Sequence, residues 1–452
     1  MEKIGLFKAI SLTSEYQKML PRDRIQLRKK RLFDLVTYAR ENSPLYAGHY
    51  EDLIQNFTLR DLMPTTREMF YKNYDAWSTD REVTLSGLLE YLSDEQNNDC
   101  FLGKYYVSAN NGSDSERLIT LMDKNCARLM SVGYMFNCFA RREHFWSFMV
   151  HGQRAANLYT TQKGFFNCAF VKMRMKYLPF RKRKSILLSS QNSTSSLVNS
   201  LNEFRPSMLA GYPSVLTRMA DEKKAGRLKI SPSFIMADGE PLEEATRKKL
   251  EETFGCDVTS SYDAALTGCM AYECREHHLH INDDWIIIEP VDRNGNPVAP
   301  GKTSDKILVT NLANYAQPVI RCELLDRIIL HEEECLCGNP APWIEVLGRT
   351  LDQLKFMEGG EEIVIPIAEL DAVLRNEDYI KRYQILVYPN NLLELRLSGN
   401  KGVDRTMAFL KAEKVLRSYL KSIGIIAPMI TLNKDAPKPD PLSGKYQTII
   451  TM

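Results

Sequence analysis

Three cysteines and one histidine in the second half of the chain have the spacing of metal ligands. Cys274 and His280 form a C-x5-H pair in CREHHLH, and Cys335 and Cys337 form a C-x-C pair in ECLCGN. Two short pairs of thiols and imidazole suit a closed tetrahedral ion, and zinc accepts such a mixed set. Four protein ligands leave no open coordination position, so the expected role is structural. His277 and His278 are spare ligands that spacing does not exclude, and Cys269 reads as a small buried residue. A late lysine, Lys445 in DPLSGKYQTI, has no meaning by itself.

Other segments carry weaker chemical signals. The polar run Asn110–Arg117 (NNGSDSER) lies between two apolar stretches, where a glycine-containing loop can wrap backbone N–H groups around phosphate. Its simple alternative is a surface hairpin. Asp238-Gly239-Glu240-Pro241 reads as a turn at a helix start. Arg181-Lys182-Arg183-Lys184 reads as a solvated basic face, with the phosphates of a cofactor or an acidic carrier protein as the sharper reading.

The elements that must position these residues fall into three zones. Residues 15–48 have apolar positions at helical spacing (Leu32, Leu35, Val36, Ala39), with Pro44 as the stop. From 120 to 260, short apolar runs (SILLSS, SMLAGY, SFIMAD) alternate with amphipathic helices, one of them stopped by Gly255. That alternation argues for parallel βαβ units with buried strands. Residues 280–347 carry short strands and turn signals such as Asn294-Gly295, which makes a β-rich subdomain. After 348 the order is a helix (IAELDAVLRN), two strands, a long amphipathic helix and a strand, a natural separate unit. The predicted domains are 1–347 and 348–452.

Composition bounds the function classes. The chain has 452 residues, 44% hydrophobic and 26% charged, with a net charge of +2. Such a balance gives no global reason to expect nucleic acid or membrane as a partner. No apolar run approaches the ~18 residues of a spanning helix. Ten cysteines over this length do not make a disulfide framework, and MEKIGLFKAISLTSEYQ holds no long apolar stretch. The expectation is a reduced, cytoplasmic α/β protein.

The blocks, taken in order, resemble the phenylacetate-CoA ligase-like branch of the adenylate-forming (acyl-CoA synthetase) superfamily. The likeness begins at RLFDLVTYARENSPLY and is strongest over FRPSMLAGYPSVLTRMADEKKAGRLKISPSFIMADGEPLEEATRKKLEETFGCDV. It continues through the C-x5-H pair, QPVIRCELLD, CLCG and LGRTLDQL to the final SGK. The resemblance implies a large α/β domain and a small α+β C-terminal lid that rotates between two half-reactions. It implies ATP-dependent, AMP-forming activation of an aryl or acyl carboxylic acid to an acyl-adenylate. Transfer to a thiol of CoA or a carrier protein, or to an amine, follows. ATP, Mg2+ and CoA are the implied cofactors, and a homodimer is a possible assembly.

It also implies residue roles. Gly112, Ser113 and Arg117 match the phosphate loop, although Ser115 replaces a glycine, and Asp114 and Glu116 add negative charge. Tyr262 matches the tyrosine that stacks on adenine. The glutamate that helps hold Mg2+ falls on Leu266 or, with a one-residue shift, on Thr267. Asp326 matches the ribose-binding aspartate, Glu240 the loop lining the nucleotide, and Arg349 the start of the hinge. Tyr212 lines the acyl pocket, His151 gates it or is a core histidine, and Lys445 is the lysine of adenylation. The missing glutamate and acidified loop keep a second expectation open, a non-catalytic protein of the same fold acting as a partner or regulatory subunit.

Overall fold

The computed structural model describes residues 3–94, 100–109, 118–177, 183–349, 353–366, 370–371, 373–374, 377–389, 391–400, 402–426, 428–441 and 444–452. The chain divides into two compact units, 1–324 with 328–346, and 325–327 with 347–452. Among the described residues no helix is long and apolar enough to cross a membrane.

A five-stranded parallel sheet organises the first unit. Its order is Ser185–Ser189, Ala155–Tyr159, Met208–Gly211, Phe234–Ala237 and Val258–Thr259. The strands alternate with helices Phe166–Tyr177, Thr194–Phe204, Pro213–Lys224 and Glu244–Phe254. Met208–Gly211 and Phe234–Ala237 are buried at every position, because helices cover both faces of a parallel sheet. Ser185–Ser189 departs from the expected buried strand. It is an edge strand, and all five residues are half-buried. Gly255 takes φ of 68° at the end of Glu244–Phe254, a left-handed cap that glycine adopts without a Cβ penalty. The N-terminal helical segment is broken into Leu6–Lys18, Pro21–Asn42 and Pro44–His49. Pro21 and Pro44 each open a helix, where the missing N–H costs nothing.

Besides the small antiparallel pair of Tyr106–Ala109 with Ile119–Met122, two antiparallel sheets complete the first unit's β structure. One orders Ile286–Val291, Lys306–Asn311 and Val319–Leu324. The other runs from Ser261–Ala264 through Gly268–Glu273 and Leu279–Ile281 to Trp343–Arg349 and Asp326–His331. This second sheet brings the two cysteine-bearing segments side by side, because Leu279 pairs with Ile344 and His280 with Trp343.

The second unit has its own apolar core, including Phe356, Ile385, Leu393, Leu395, Leu416 and Leu420. Strands Ile380–Tyr388 and Leu392–Gly399 form the expected hairpin, flanked in parallel by Met429–Leu432 and Ile449–Thr451. Helix Arg405–Ser422 packs on this sheet, capped by Asp404, whose carboxylate accepts from Thr406 N and Met407 N at 2.8 and 2.9 Å. A hairpin of Gln353–Glu358 with Glu361–Pro366 and the last strand were absent from the sequence reading. Much of the helix expected over IAELDAVLRN lies outside the described residues.

Candidate metal centre and candidate active site

The four metal-type ligands converge. The ligand atoms of Cys274, His280, Cys335 and Cys337 all lie within 4.8 Å of one another. Cys274 Sγ stands 3.8 Å from Cys335 Sγ, and Cys337 Sγ stands 3.3 Å from His280 Nε2. A tetrahedral ion with metal–sulfur bonds of ~2.3 Å has sulfur–sulfur edges of about 3.8 Å. The surroundings suit thiolates. Glu276 N, Cys337 N and Asn339 N point at Cys274 Sγ, Cys335 Sγ and Cys337 Sγ at 3.4, 3.5 and 3.3 Å. His280 Nδ1 donates to Ala341 O at 2.7 Å, which leaves Nε2 as the free lone pair. Burial lowers the pKa of His280 and favours the neutral imidazole a metal requires.

Of the spare histidines, His277 is turned away in a left-handed turn (φ 60°), with Nδ1 3.1 Å from Glu273. His278 stays close, its Nδ1 3.3 Å from Cys335 Sγ and its ring stacked on Trp343 at 3.8 Å. Cys269 is buried within strand Gly268–Glu273 and its thiol faces Ala271 O.

A second group of polar residues gathers at the carboxyl ends of the parallel strands. Tyr159 and Tyr212 follow or end two of them and meet edge to face at 5.2 Å. Tyr212 is fully buried, and burial pushes its phenol well above the usual range. Asp238 follows Phe234–Ala237, and its carboxylate accepts from Tyr159 OH at 2.8 Å and Asn167 Nδ2 at 3.4 Å. Gly239, with φ of 78°, presses on Tyr212, where an added Cβ would stand 2.8 Å from the ring. Glu240 accepts from Ser214 N and Ser214 Oγ, both at 3.0 Å, and so ties this loop to the start of Pro213–Lys224. Crevices outside the carboxyl ends of parallel strands are where open α/β sheets bind ligands. Asp238 and Tyr159 were missed in the sequence. Asp238 stood in view beside Gly239, but nothing local shows that Tyr159 would reach it from another strand.

Tyr262 and Asp263 lie on Ser261–Ala264, paired with Ala271 and Cys269, and Asp263 accepts from Ser261 Oγ at 2.7 Å. Leu266 and Thr267 are both buried, so the turn after this strand offers no carboxylate for Mg2+. Asp326 is half-buried at the start of its strand. Lys445 is half-buried in a pinned loop. Gln384 bonds the backbone on both sides of it at Lys438 and Gln447, Tyr446 OH donates to Tyr383 O, and Asp440 N donates to Lys445 O at 2.8 Å.

His151 is a correction. It is exposed, and its Nδ1 lies 2.7 Å from Ser147 O at the end of helix Arg142–Val150. It precedes Ala155–Tyr159, which puts it at the amino end of the sheet, opposite the crevice, so it neither gates a pocket nor packs in the core. Gly112, Ser113 and Arg117, with the rest of 110–117, lie outside the described residues, as do Arg181, Lys182 and the side chain of Arg349.

No protein-family model matches the chain. In sequence it is similar to phenylacetate-coenzyme A ligase of Thermus thermophilus, 29% identical over 214 residues, 45% of this chain and 47% of that protein. It is also similar to protein CapK of Staphylococcus aureus, 26% identical over 138 residues, 30% of this chain and 29% of that one. The chain thus matches less than half the length of these curated relatives. Its fold is that of the adenylate-forming CoA ligases. A solved 2-hydroxyisobutyryl-CoA ligase holding an acyl-AMP superposes with a TM-score of 0.70 at 16% identity, over 97% of this chain and 92% of that one.

Proposed function

We propose that the protein is an ATP-dependent, AMP-forming ligase that activates a carboxylic acid and passes the acyl group to a thiol, with CoA as the acceptor. The observation that carries this reading is the likeness, over 97% of the chain, to a CoA ligase holding an acyl-adenylate. In the first step a carboxylate oxygen attacks the α-phosphorus of ATP, the bond to the β-phosphate breaks, and pyrophosphate leaves. In the second the thiolate attacks the acyl carbon, the carbon–oxygen bond to phosphate breaks, and AMP leaves.

This chain's residues support parts of that chemistry. Tyr262, Asp326 and Glu240 are assigned to adenine, ribose and the nucleotide loop, and Tyr212 to the wall of the acid pocket. Gly112, Ser113 and Arg117 are assigned to the phosphates, and Arg349 to the hinge. Lys445 is assigned to the charge that develops as the acid meets the phosphate. A fixed ammonium is worth most in a site closed to water, and hydrogen bonds made by Gln384 and Tyr446 hold the segments beside Lys445. Mg2+ gains no ligand from Leu266 or Thr267, and no step is assigned to it. The Cys274, His280, Cys335 and Cys337 set is assigned to one zinc ion that clamps two segments of the sheet.

Release of pyrophosphate from ATP, Mg2+ and a panel of carboxylic acids tests the reading. Turnover with one acid, lowered by orders of magnitude in Lys445→Ala, is the expected result. A second reading, a non-catalytic protein of this fold, is favoured by the buried Leu266 and Thr267 where a carboxylate is needed. It predicts AMP or ATP binding in calorimetry with no pyrophosphate from any acid.

A further inference from the structure

We propose that the amino end of the parallel sheet, opposite the crevice, is a docking surface for an anionic membrane. The inference is independent of the ligase reading and leaves the crevice open.

Strand order collects positive charge at this end. Each of four neighbouring strands is entered by a cation. Arg183 and Lys184 precede Ser185–Ser189, and Arg154 precedes Ala155–Tyr159. Arg205 precedes Met208–Gly211, and Lys229 lies in the segment leading into Phe234–Ala237. Arg183, Arg205 and Lys229 are exposed, and Arg154 and Lys184 are half-buried. Arg154 Nε donates to Arg205 O at 2.9 Å, which sets these two side by side. The ion pairs of this end are Arg227 with Glu222 and Arg141 with Asp257, so the row itself has no carboxylate partner among the described residues. Glu143 and Glu203 are exposed at this end and reduce the excess without cancelling it. The chain's net charge of +2 averages the row away. Arg205 has φ of 50° at the end of helix Thr194–Phe204, where glycine is the unstrained choice. A long cation kept at such a position is the kind of outlier that marks a used side chain. A groove of about 970 Å3 opens between Arg205, Arg227 and Lys229, lined also by Asn199 and Asn202, with room for a phosphate headgroup.

An apolar face adjoins the row. Helix Arg142–Val150 lies across the same end of the sheet. His144 Nε2 meets Asp257 Oδ2 at 2.8 Å, and Ser147 Oγ donates to Ser233 Oγ at 2.9 Å, each at the entry of a strand. His144 and Phe148 are buried inward, and the outer face carries Phe145, Trp146, Met149 and Val150, 38, 64, 39 and 79% exposed. Trp146, Met149 and Val150 share one side of the helix by their spacing. A tryptophan among apolar side chains, bordered by cations, has the composition of a surface that settles at a lipid interface. The apolar face enters the headgroup layer while the cations meet lipid phosphates. A nucleic acid would use the row and leave Trp146 and Val150 in water. A second copy on a two-fold axis would set the row against itself.

Cosedimentation of the full chain with sucrose-loaded vesicles tests this, using phosphatidylcholine alone and phosphatidylcholine mixed with phosphatidylglycerol. Binding to the mixed vesicles alone is expected, weakened by salt and accompanied by a blue shift of tryptophan emission. The double variant Arg205→Glu, Lys229→Glu should reduce the partition coefficient roughly tenfold or more, since each cation near an anionic surface contributes about fivefold. Trp146→Ser should reduce it and abolish the shift. All three positions are exposed, and an unchanged melting curve checks each variant's fold; should one variant misfold, the other decides. No binding to the mixed vesicles overturns the proposal, as does equal binding to both kinds or binding that neither variant weakens. A single-stranded RNA bound in place of vesicles also overturns it, as does self-association removed by Trp146→Ser without vesicle binding, and each assigns the surface to that other partner.

Discussion

Cys335 is the hub of the metal-type set, close to Cys274 Sγ, His278 Nδ1 and the Cys337 N–H. Elemental analysis should find close to one zinc per chain. Cys335→Ser should lower metal content and melting temperature together, because the binding energy of a structural zinc is folding energy. Unchanged melting of a metal-free protein would exclude the ion. His278 is a subtler case. Its Nδ1 faces a ligand sulfur without being needed as a ligand, and such partners are worth about 10–100-fold in metal affinity. His278→Ala should therefore keep its zinc until a chelator competes, and then lose it faster than the parent.

Asp284 carries a different residue-scale prediction. Burial, more than any neighbour, pushes its carboxyl up to about 7, against the pull of Arg31. Arg31 lies over Trp285 at 3.6 Å and donates to the Asp284 carbonyl. The sign follows from proton counting. Between the ordinary carboxylate range and about 7 the folded state holds a proton that the unfolded state has lost. Stability from this group is therefore full at the acid end and falls as pH rises through that window, by at most about 1.4 kcal/mol per pH unit. Asp284→Asn should flatten that slope in denaturant titrations between the two limits. A slope equal to the parent's would mean the carboxylate is already ionised.

At the scale of elements, Gly255 was legible as a helix stop, and it ends its helix as its type requires. The single helical segment expected over 15–48, with Pro44 as its stop, is instead divided by Pro21 and Pro44, each of which opens a helix. Asp404 satisfies two N–H groups at the head of Arg405–Ser422. Asp404→Ala should cost about 1 kcal/mol of the second unit's stability. Asp404→Ser, which keeps a capping oxygen, should recover most of it in the same melting experiment. What the sequence concealed at this scale was lateral. Ser185–Ser189 reads like its buried neighbours, yet edge or centre is set by strand order, and no local signal encodes order.

For the whole molecule, the two units have separate apolar cores: in the first, one cluster around the parallel sheet and one that joins the N-terminal helices to the antiparallel strands, and in the second a cluster around Ile385, Leu395 and Leu416. Separate cores unfold separately when the second does not depend on the first. Scanning calorimetry of the full chain should resolve two transitions. Cys335→Ser should move one and Asp404→Ala the other. A single transition shifted by both variants would show one cooperative unit.

Alternation of apolar runs and amphipathic helices determined the parallel α/β architecture before any coordinates, because each short strand needs a covering helix on either side. Ligand spacing likewise marked Cys274, His280, Cys335 and Cys337, since two short pairs keep their geometry wherever the chain carries them. Tertiary structure alone decided the rest. It placed His151 at the wrong end of the sheet for a pocket, joined Tyr159 to Asp238 across strands 79 residues apart, and buried Leu266 and Thr267. Those outcomes depend on strand order and on which end of the sheet a residue faces, and both are products of long-range packing that neighbouring residues do not specify.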